Sequence, residues 1–112
     1  MRIWQSLALG LALSAAMAGA MPGLAAAAQY TVVLDKMKFG PVPANLHVGD
    51  VIVWQNNDLF RHTATARDKS FDVELKPKAH MWTTFHRAGT YPFTCRYHPG
   101  MSGTLVVAGS GR

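Results

Sequence analysis

The sequence contains a single cysteine, Cys95, so one chain cannot form an internal disulfide. Charged residues are also scarce, at 15% of the 112 positions, and Asp and Glu (6) are rarer than Lys and Arg (11). The basic residues are scattered singly and form no run, which argues against a nucleic-acid-binding stripe. Two interpretations of the net charge of +5 remain open: a solvated basic surface, or a surface that steers the protein towards an acidic partner.

Helical periodicity is absent as well. From Tyr30 onwards, no stretch keeps the period of an amphipathic helix for more than two turns. Short runs rich in Val, Thr and aromatic residues recur instead between turn residues, at 30–36, 44–48, 51–56, 62–66, 71–75, 81–86, 90–95 and 103–108. About eight closely spaced strands predict an all-β domain, a small antiparallel Greek-key sandwich or barrel.

The one long hydrophobic run lies at the N-terminus. Met1 and Arg2 precede a largely apolar stretch from Leu7 to about Ala20, and small residues follow at 26–28. This order is typical of a secretory signal peptide. We expect residues 1–28 to be removed on export to the periplasm, which leaves residues 29–112 as one small domain without a membrane span. Retention of the stretch as a membrane anchor is the alternative.

A domain of this size has a marginal core, and without a disulfide a bound metal would stabilise it. The cysteine lies where such a metal could bind. In the predicted strand 90–95, side-chain alternation places Tyr91, Phe93 and Cys95 on one face, directed towards the core. Cys95 therefore continues an apolar row at the very end of its strand.

Cys95 begins the segment CRYHPGM, in which His98 and Met101 follow at steps of three residues. The intervening Pro-Gly pair favours a tight loop that aims these side chains at one point. A thiolate, an imidazole and a thioether suit a soft metal, and two histidines, one cysteine and a weak axial methionine describe blue copper. Taken singly, each residue has a plainer interpretation: a buried strand cysteine, a loop histidine and a core methionine.

The remaining ligand must come from elsewhere in the chain. His62 is the candidate, because it opens a predicted strand after a long polar turn. We expect the other three histidines to be ordinary surface or half-buried strand residues: His47, His80 and His86.

Two segments carry a family resemblance: MKFGPVPANLHVGDVIVWQNND (37–58) and GTYPFTCRYHPGMSGTLVV (89–107). They resemble the M-x-F-x-P, G-D-x-V-x-W-x-N and C-x-x-H-x-x-M motifs of the cupredoxins, the type 1 blue copper proteins of the plastocyanin, pseudoazurin and amicyanin group. The two-residue gap between His98 and Met101 is similar to that of amicyanin. The resemblance implies one Cu(I)/Cu(II) ion per chain, with His62, Cys95, His98 and Met101 as its ligands.

The chain departs from that family pattern at two positions. Thr63 stands where family members commonly have an asparagine whose side chain ties the two ligand loops together. We expect the Thr63 hydroxyl to hold these loops together less firmly than the asparagine does. Tyr97 stands where many members have proline, so its backbone N–H is expected to donate to the Cys95 sulfur and raise the potential.

The resemblance further implies a one-electron shuttle rather than an enzyme. Redox proteins such as a c-type cytochrome, an oxidase or a dehydrogenase would dock transiently near His98, framed by Phe39, Pro41 and Pro99, and the shuttle would be a monomer. The alternative is a periplasmic copper carrier or scavenger without redox cycling, although the tail VVAGSGR has no Met or His. A cysteine hydrolase is disfavoured, because Cys95 ends a strand rather than beginning a helix.

Overall fold

The computed structural model describes residues 26–110, so the predicted signal peptide, residues 1–28, lies almost wholly outside the described part of the chain. The described residues form nine strands and no helix. The strands are β1 Gln29–Asp35, β2 Lys38–Phe39, β3 Leu46–His47, β4 Val51–Asn56, β5 His62–Ala66, β6 Asp72–Leu75, β7 His80–Thr84, β8 Gly89–Thr94 and β9 Ser102–Ala108. Within residues 26–110, no helix is available to cross a membrane.

The strands form two sheets, ordered β2-β1-β4-β7 and β3-β9-β8-β5-β6. The predicted all-β sandwich is confirmed, but two strand pairs run parallel, β1 with β4 and β3 with β9. Between β1 and β4 the chain crosses to the second sheet at β3, so β4 returns beside β1 by a crossover rather than a hairpin. Strand β2 is not evident from the sequence, because Lys36 and Met37 make the preceding turn at positive φ (53° and 62°) without glycine or asparagine.

An aromatic cluster fills the space between the sheets and holds the strand that precedes Cys95. The Phe93 ring lies 4.8 Å from Phe39, 5.3 Å from Trp54 and 6.2 Å from Phe71, between ring centroids. Burial of each large side chain contributes about 1.5–3 kcal/mol relative to exposure. The predicted inward face of β8 is confirmed, because Tyr91, Phe93 and Cys95 are all buried. The core thus fixes the direction in which Cys95 leaves the sheet.

One glycine makes room for the Phe93 ring. Gly103 lies opposite Phe93 in the β8–β9 ladder, and a Cβ there would stand 2.5 Å from the ring. We expect Gly103→Ala to lower the free energy of unfolding by about 1–3 kcal/mol, because the ring must leave its rotamer. A Cβ at Gly109 would meet nothing within 4 Å, so Gly109→Ala should change stability by no more than about 0.5 kcal/mol. Urea unfolding of both variants measures this, and equal midpoints would contradict the packing.

Candidate metal centre

Three metal-binding side chains meet at one end of the sandwich. His62 is the first residue of β5, Cys95 directly follows β8, and His98 lies in the loop between β8 and β9. Their donor atoms lie within 4.8 Å of one another. His62 and Cys95 are buried, whereas His98 is half-buried and has an edge open to solvent. The structure therefore brings together three of the four residues that the resemblance implies as ligands.

The distances between the donor atoms fit a single metal ion. Cys95 Sγ lies 3.7 Å from His62 Nδ1 and 3.6 Å from His98 Nδ1, and the two nitrogens are 3.2 Å apart. With zinc-like bonds of about 2.3 Å to sulfur and about 2.0 Å to nitrogen, donors in a trigonal plane stand about 3.5–3.7 Å apart. One thiolate and two imidazoles in this triangle match the equatorial ligands of a blue copper site.

The loop between β8 and β9 is a tight turn. Met101 N–H donates to His98 O at 2.8 Å, with Pro99 at the second turn position, where its fixed φ is favourable. Cys95 N–H donates to Met101 O at 3.0 Å, so the loop closes on itself. The Met101 side chain is buried. The predicted curl of the loop is confirmed, while the axial role of Met101 stays a prediction.

Thr63 links the two ligand-bearing segments. Its N–H donates to Cys95 Sγ at 3.3 Å, and its hydroxyl oxygen accepts from Arg96 N–H at 2.8 Å. The expectation for Tyr97 is thereby corrected, because the N–H that donates to the sulfur is that of Thr63. The Thr63 hydroxyl does join the two segments, through its one bond from Arg96 N–H.

The segment after Cys95 is also bound to β6. The Arg96 guanidinium donates to Asp72, and the Tyr97 hydroxyl donates to the Glu74 carboxylate at 2.8 and 2.9 Å. Asp72 also accepts a hydrogen bond from Thr65, which contacts the Thr63 hydroxyl. A continuous hydrogen-bonded chain therefore runs from β6 through β5 to the metal-binding loop.

Asn56, at the end of β4, organises the polar turn before His62. It is fully buried, and its side-chain nitrogen lies within hydrogen-bond distance of three carbonyl oxygens, those of Phe60, Leu75 and Lys76. Its Oδ1 accepts from Asp58 N–H at 2.9 Å. Because an amide can satisfy this set only in one orientation, Asn56 fixes the path of the chain into His62.

Asp58 orients the His62 ring. The Asp58 carboxylate lies 2.8 Å from His62 Nε2 and accepts from the N–H groups of Lys36 (2.7 Å) and Met37 (3.0 Å). A proton held on Nε2 leaves the Nδ1 lone pair free for a metal. Burial opposes ionisation of Asp58, but the bonds from Met37, His62 and Lys36 together lower its pKa below the usual value.

One of the three residues expected to frame His98 lies elsewhere. Phe39 faces inwards against Trp54 and Phe93, so it does not frame His98 as expected. Leu59 and Phe60 lie there instead, with 78% and 59% of their surfaces exposed. The Phe60 ring centroid lies 6.5 Å from that of His98.

Sequence reasoning missed the roles of Asn56, Asp58, Leu59 and Phe60. The available signal was the turn NNDLFR (56–61), which places a carboxylate four residues before His62 and two apolar residues in a polar segment. The other histidines are as expected, since His47 is half-buried and His80 and His86 are exposed.

Comparisons with known proteins agree with this geometry. The family model of the cupredoxin-like domain matches residues 6–107. Amicyanin-alpha of Methylorubrum extorquens is 30% identical over 110 residues, which cover 91% of this chain and 92% of that protein. Amicyanin of Paracoccus versutus is 27% identical over 80 residues, which cover 66% of this chain but 61% of that relative. A Cu(I) structure of an amicyanin variant has a TM-score of 0.57 at 29% identity, covering 70% of this chain and 81% of that one.

The chain belongs to the cupredoxin-like family, and its fold and site are those of a type 1 blue copper protein. Copper is the cofactor that its histidine and cysteine side chains fit.

Replacing Asp58 tests how the protein holds His62. In Asp58→Asn the uncharged side chain no longer offers two carboxylate oxygens to the three donors, so the ring is less well fixed. We expect Cu(II) affinity to fall about 10- to 100-fold and stability to fall by about 1–3 kcal/mol. Competitive chelator titration and urea unfolding give these values. Asp68→Asn is the control, because that exposed carboxylate accepts from Ser70 in the turn between β5 and β6, away from the metal-binding residues. Equal copper affinity in the two variants would contradict the role of Asp58.

Proposed function

We propose that this chain is an exported electron carrier that passes single electrons between redox proteins, with His62, Cys95, His98 and Met101 as its copper ligands. The observation that carries the proposal is the triangle of His62 Nδ1, Cys95 Sγ and His98 Nδ1, whose edges are 3.2–3.7 Å. Bound copper supplies the Cu(I)/Cu(II) couple. A mixed thiolate and imidazole donor set suits both oxidation states, which is what a carrier without substrate turnover requires.

The protein's own hydrogen bonds keep the donor side chains in place. Asp58 holds the His62 ring, Thr63 N–H donates to the Cys95 sulfur, and the turn between His98 and Met101 fixes the loop. The N–H donor to the sulfur withdraws electron density from the thiolate. Because the metal-binding side chains are held in place, they need little rearrangement when copper changes oxidation state, and we infer that this speeds electron exchange.

His98 is the proposed route for the electron. His62 and Cys95 are buried, whereas His98 is half-buried and lies beside the exposed Phe60. A partner that covers this edge comes nearer to the donor atoms than it would over either buried ligand. The small exposed apolar surface suits a transient complex with quick release. The partner classes, a c-type cytochrome, an oxidase or a dehydrogenase, stay predictions.

Export is proposed from the N-terminal sequence. The positive start, apolar run and small residues support a signal peptide over residues 1–28 and a mature periplasmic domain over residues 29–112.

Voltammetry of the copper-loaded protein tests the function. We expect one copper per chain and a reversible one-electron wave. Met101→Gln should keep the copper but lower the potential, because a harder oxygen donor favours Cu(II). Met81→Gln, on the exposed face of β7, is the matched control and should leave the potential unchanged.

Two results would count against this account. Tight binding of Cu(I) without any reversible wave would favour a copper carrier over an electron carrier. An unchanged potential in Met101→Gln would show that the axial ligand is another group.

A further inference from the structure

The metal-binding end of the molecule carries positive charge around an apolar centre. We propose that this face docks an acidic redox protein, one whose carboxylates surround its own electron-transfer edge. The inference rests on the proposed function as an electron carrier and adds the chemistry of the partner.

The apolar centre consists of Leu59, Phe60 and Tyr97. Their exposed fractions are 78%, 59% and 42%; the Phe60 ring lies 6.5 Å from that of His98, and Tyr97 directly precedes His98 in the chain. Large apolar and aromatic side chains at the centre of an interface contribute most of its binding energy. The centre is therefore suited to contact a partner directly over His98.

Five exposed basic residues surround this centre: Lys36, Lys38, Arg61, Lys76 and Lys78. The hydrogen bonds of the site place the first and last of them. The backbone N–H of Lys36 donates to Asp58, and Lys78 Nζ donates to the carbonyl oxygen of Asn57. Asn57 and Asp58 both lie in the turn before His62.

The other three basic residues are placed by the same loops. Lys38 lines a cleft together with Gly100 and Met101. Arg61 stands between Phe60 and His62 in the chain, and Lys76 follows Leu75, which pairs with His62. All five therefore lie at the end of the sandwich that holds the metal-binding residues.

Carboxylates at this end cancel part of the positive charge. Asp72 is paired with Arg96, which is not one of the five cations. Asp58 and Glu74 keep their negative charges, because hydrogen bonds from backbone N–H groups and from the Tyr97 hydroxyl do not cancel them, and Asp35 is exposed at the end of β1. These three carboxylates offset three of the five cations, so the face keeps an excess of two positive charges.

Charge complementarity selects the partner. A positive rim attracts a protein with clustered carboxylates and raises the association rate by about 10-fold or more at low salt. The same rim repels a second copy of this chain and any basic redox protein. Exposed charges act over about 10 Å at 0.1 M salt, so the attraction leaves the complex easily reversible.

The opposite end of the molecule provides a control of equal charge. Arg67 and Lys69 are exposed there, in the turn between β5 and β6. The double variants Lys38→Glu/Lys76→Glu and Arg67→Glu/Lys69→Glu have the same net charge, and in the described residues none of these four side chains makes a hydrogen bond that the change would remove. The two variants differ in the end of the molecule at which the charge is reversed.

The first measurement uses two small oxidants of opposite charge on the Cu(I) protein. At low ionic strength, we expect Lys38→Glu/Lys76→Glu to slow oxidation by ferricyanide about fivefold or more. It should speed oxidation by the cation tris(1,10-phenanthroline)cobalt(III). The far-end variant should stay within about twofold of the native rates, and salt should remove the differences.

The second measurement needs no metal. Titration of poly-L-glutamate into the ¹⁵N-labelled copper-free protein should shift amide signals at 36–38, 59–61, 76–78 and 96–100. The same titration of Lys38→Glu/Lys76→Glu should give much smaller shifts.

The outcomes separate this inference from the function beneath it. If both double variants slow ferricyanide equally, or if poly-L-glutamate shifts signals at 67–69 instead, the docking face is overturned while electron transfer stands. If neither oxidant reacts with copper-loaded native protein, the electron-carrier function fails and the inference fails with it.

Discussion

Two hydrogen bonds at Thr63 join the strands that hold the metal-binding side chains. Thr63 N–H donates to the Cys95 sulfur, and the Thr63 hydroxyl accepts from Arg96 N–H. The ladder between β5 and β8 itself contains two residue pairs, so these bonds extend the connection towards the start of β5. The separation of Cys95 from His62, and the direction in which the loop leaves towards His98, both depend on this link.

A second set of contacts fixes the remaining donors around that link. Asn56 sets the path of the turn, and Asp58 holds the His62 ring while it caps two N–H groups of the left-handed turn at Lys36 and Met37. The turn before His62, which contains Asn56 and Asp58, also brings Leu59 and Phe60 to the surface beside His98. The interactions that orient the buried ligand therefore also shape the face that a partner would meet, so site and surface are built from one segment.

The sequence was informative where the structure depends on local pattern. Alternation along β8 predicted the buried Cys95, and the steps to His98 and Met101 with Pro99 between predicted the tight loop. It was uninformative where distant segments meet: the parallel pairing of β1 with β4, and the Thr63 N–H as donor to the sulfur. Asp58 could be predicted in part. Its position four residues before His62 is evident from the sequence, but its hydrogen bonds to the turn between β1 and β2 depend on tertiary structure.

The central claim is that one thiolate and two imidazoles bind a single copper ion. The visible absorption spectrum of the Cu(II)-loaded protein tests it most directly, because among these donors the thiolate is the one that gives Cu(II) an intense charge-transfer band in the visible region. The account predicts an intensely blue protein with one copper per chain. A Cu(II) complex of the same stoichiometry with only weak visible absorption would contradict it, because Cys95 would then not be a ligand.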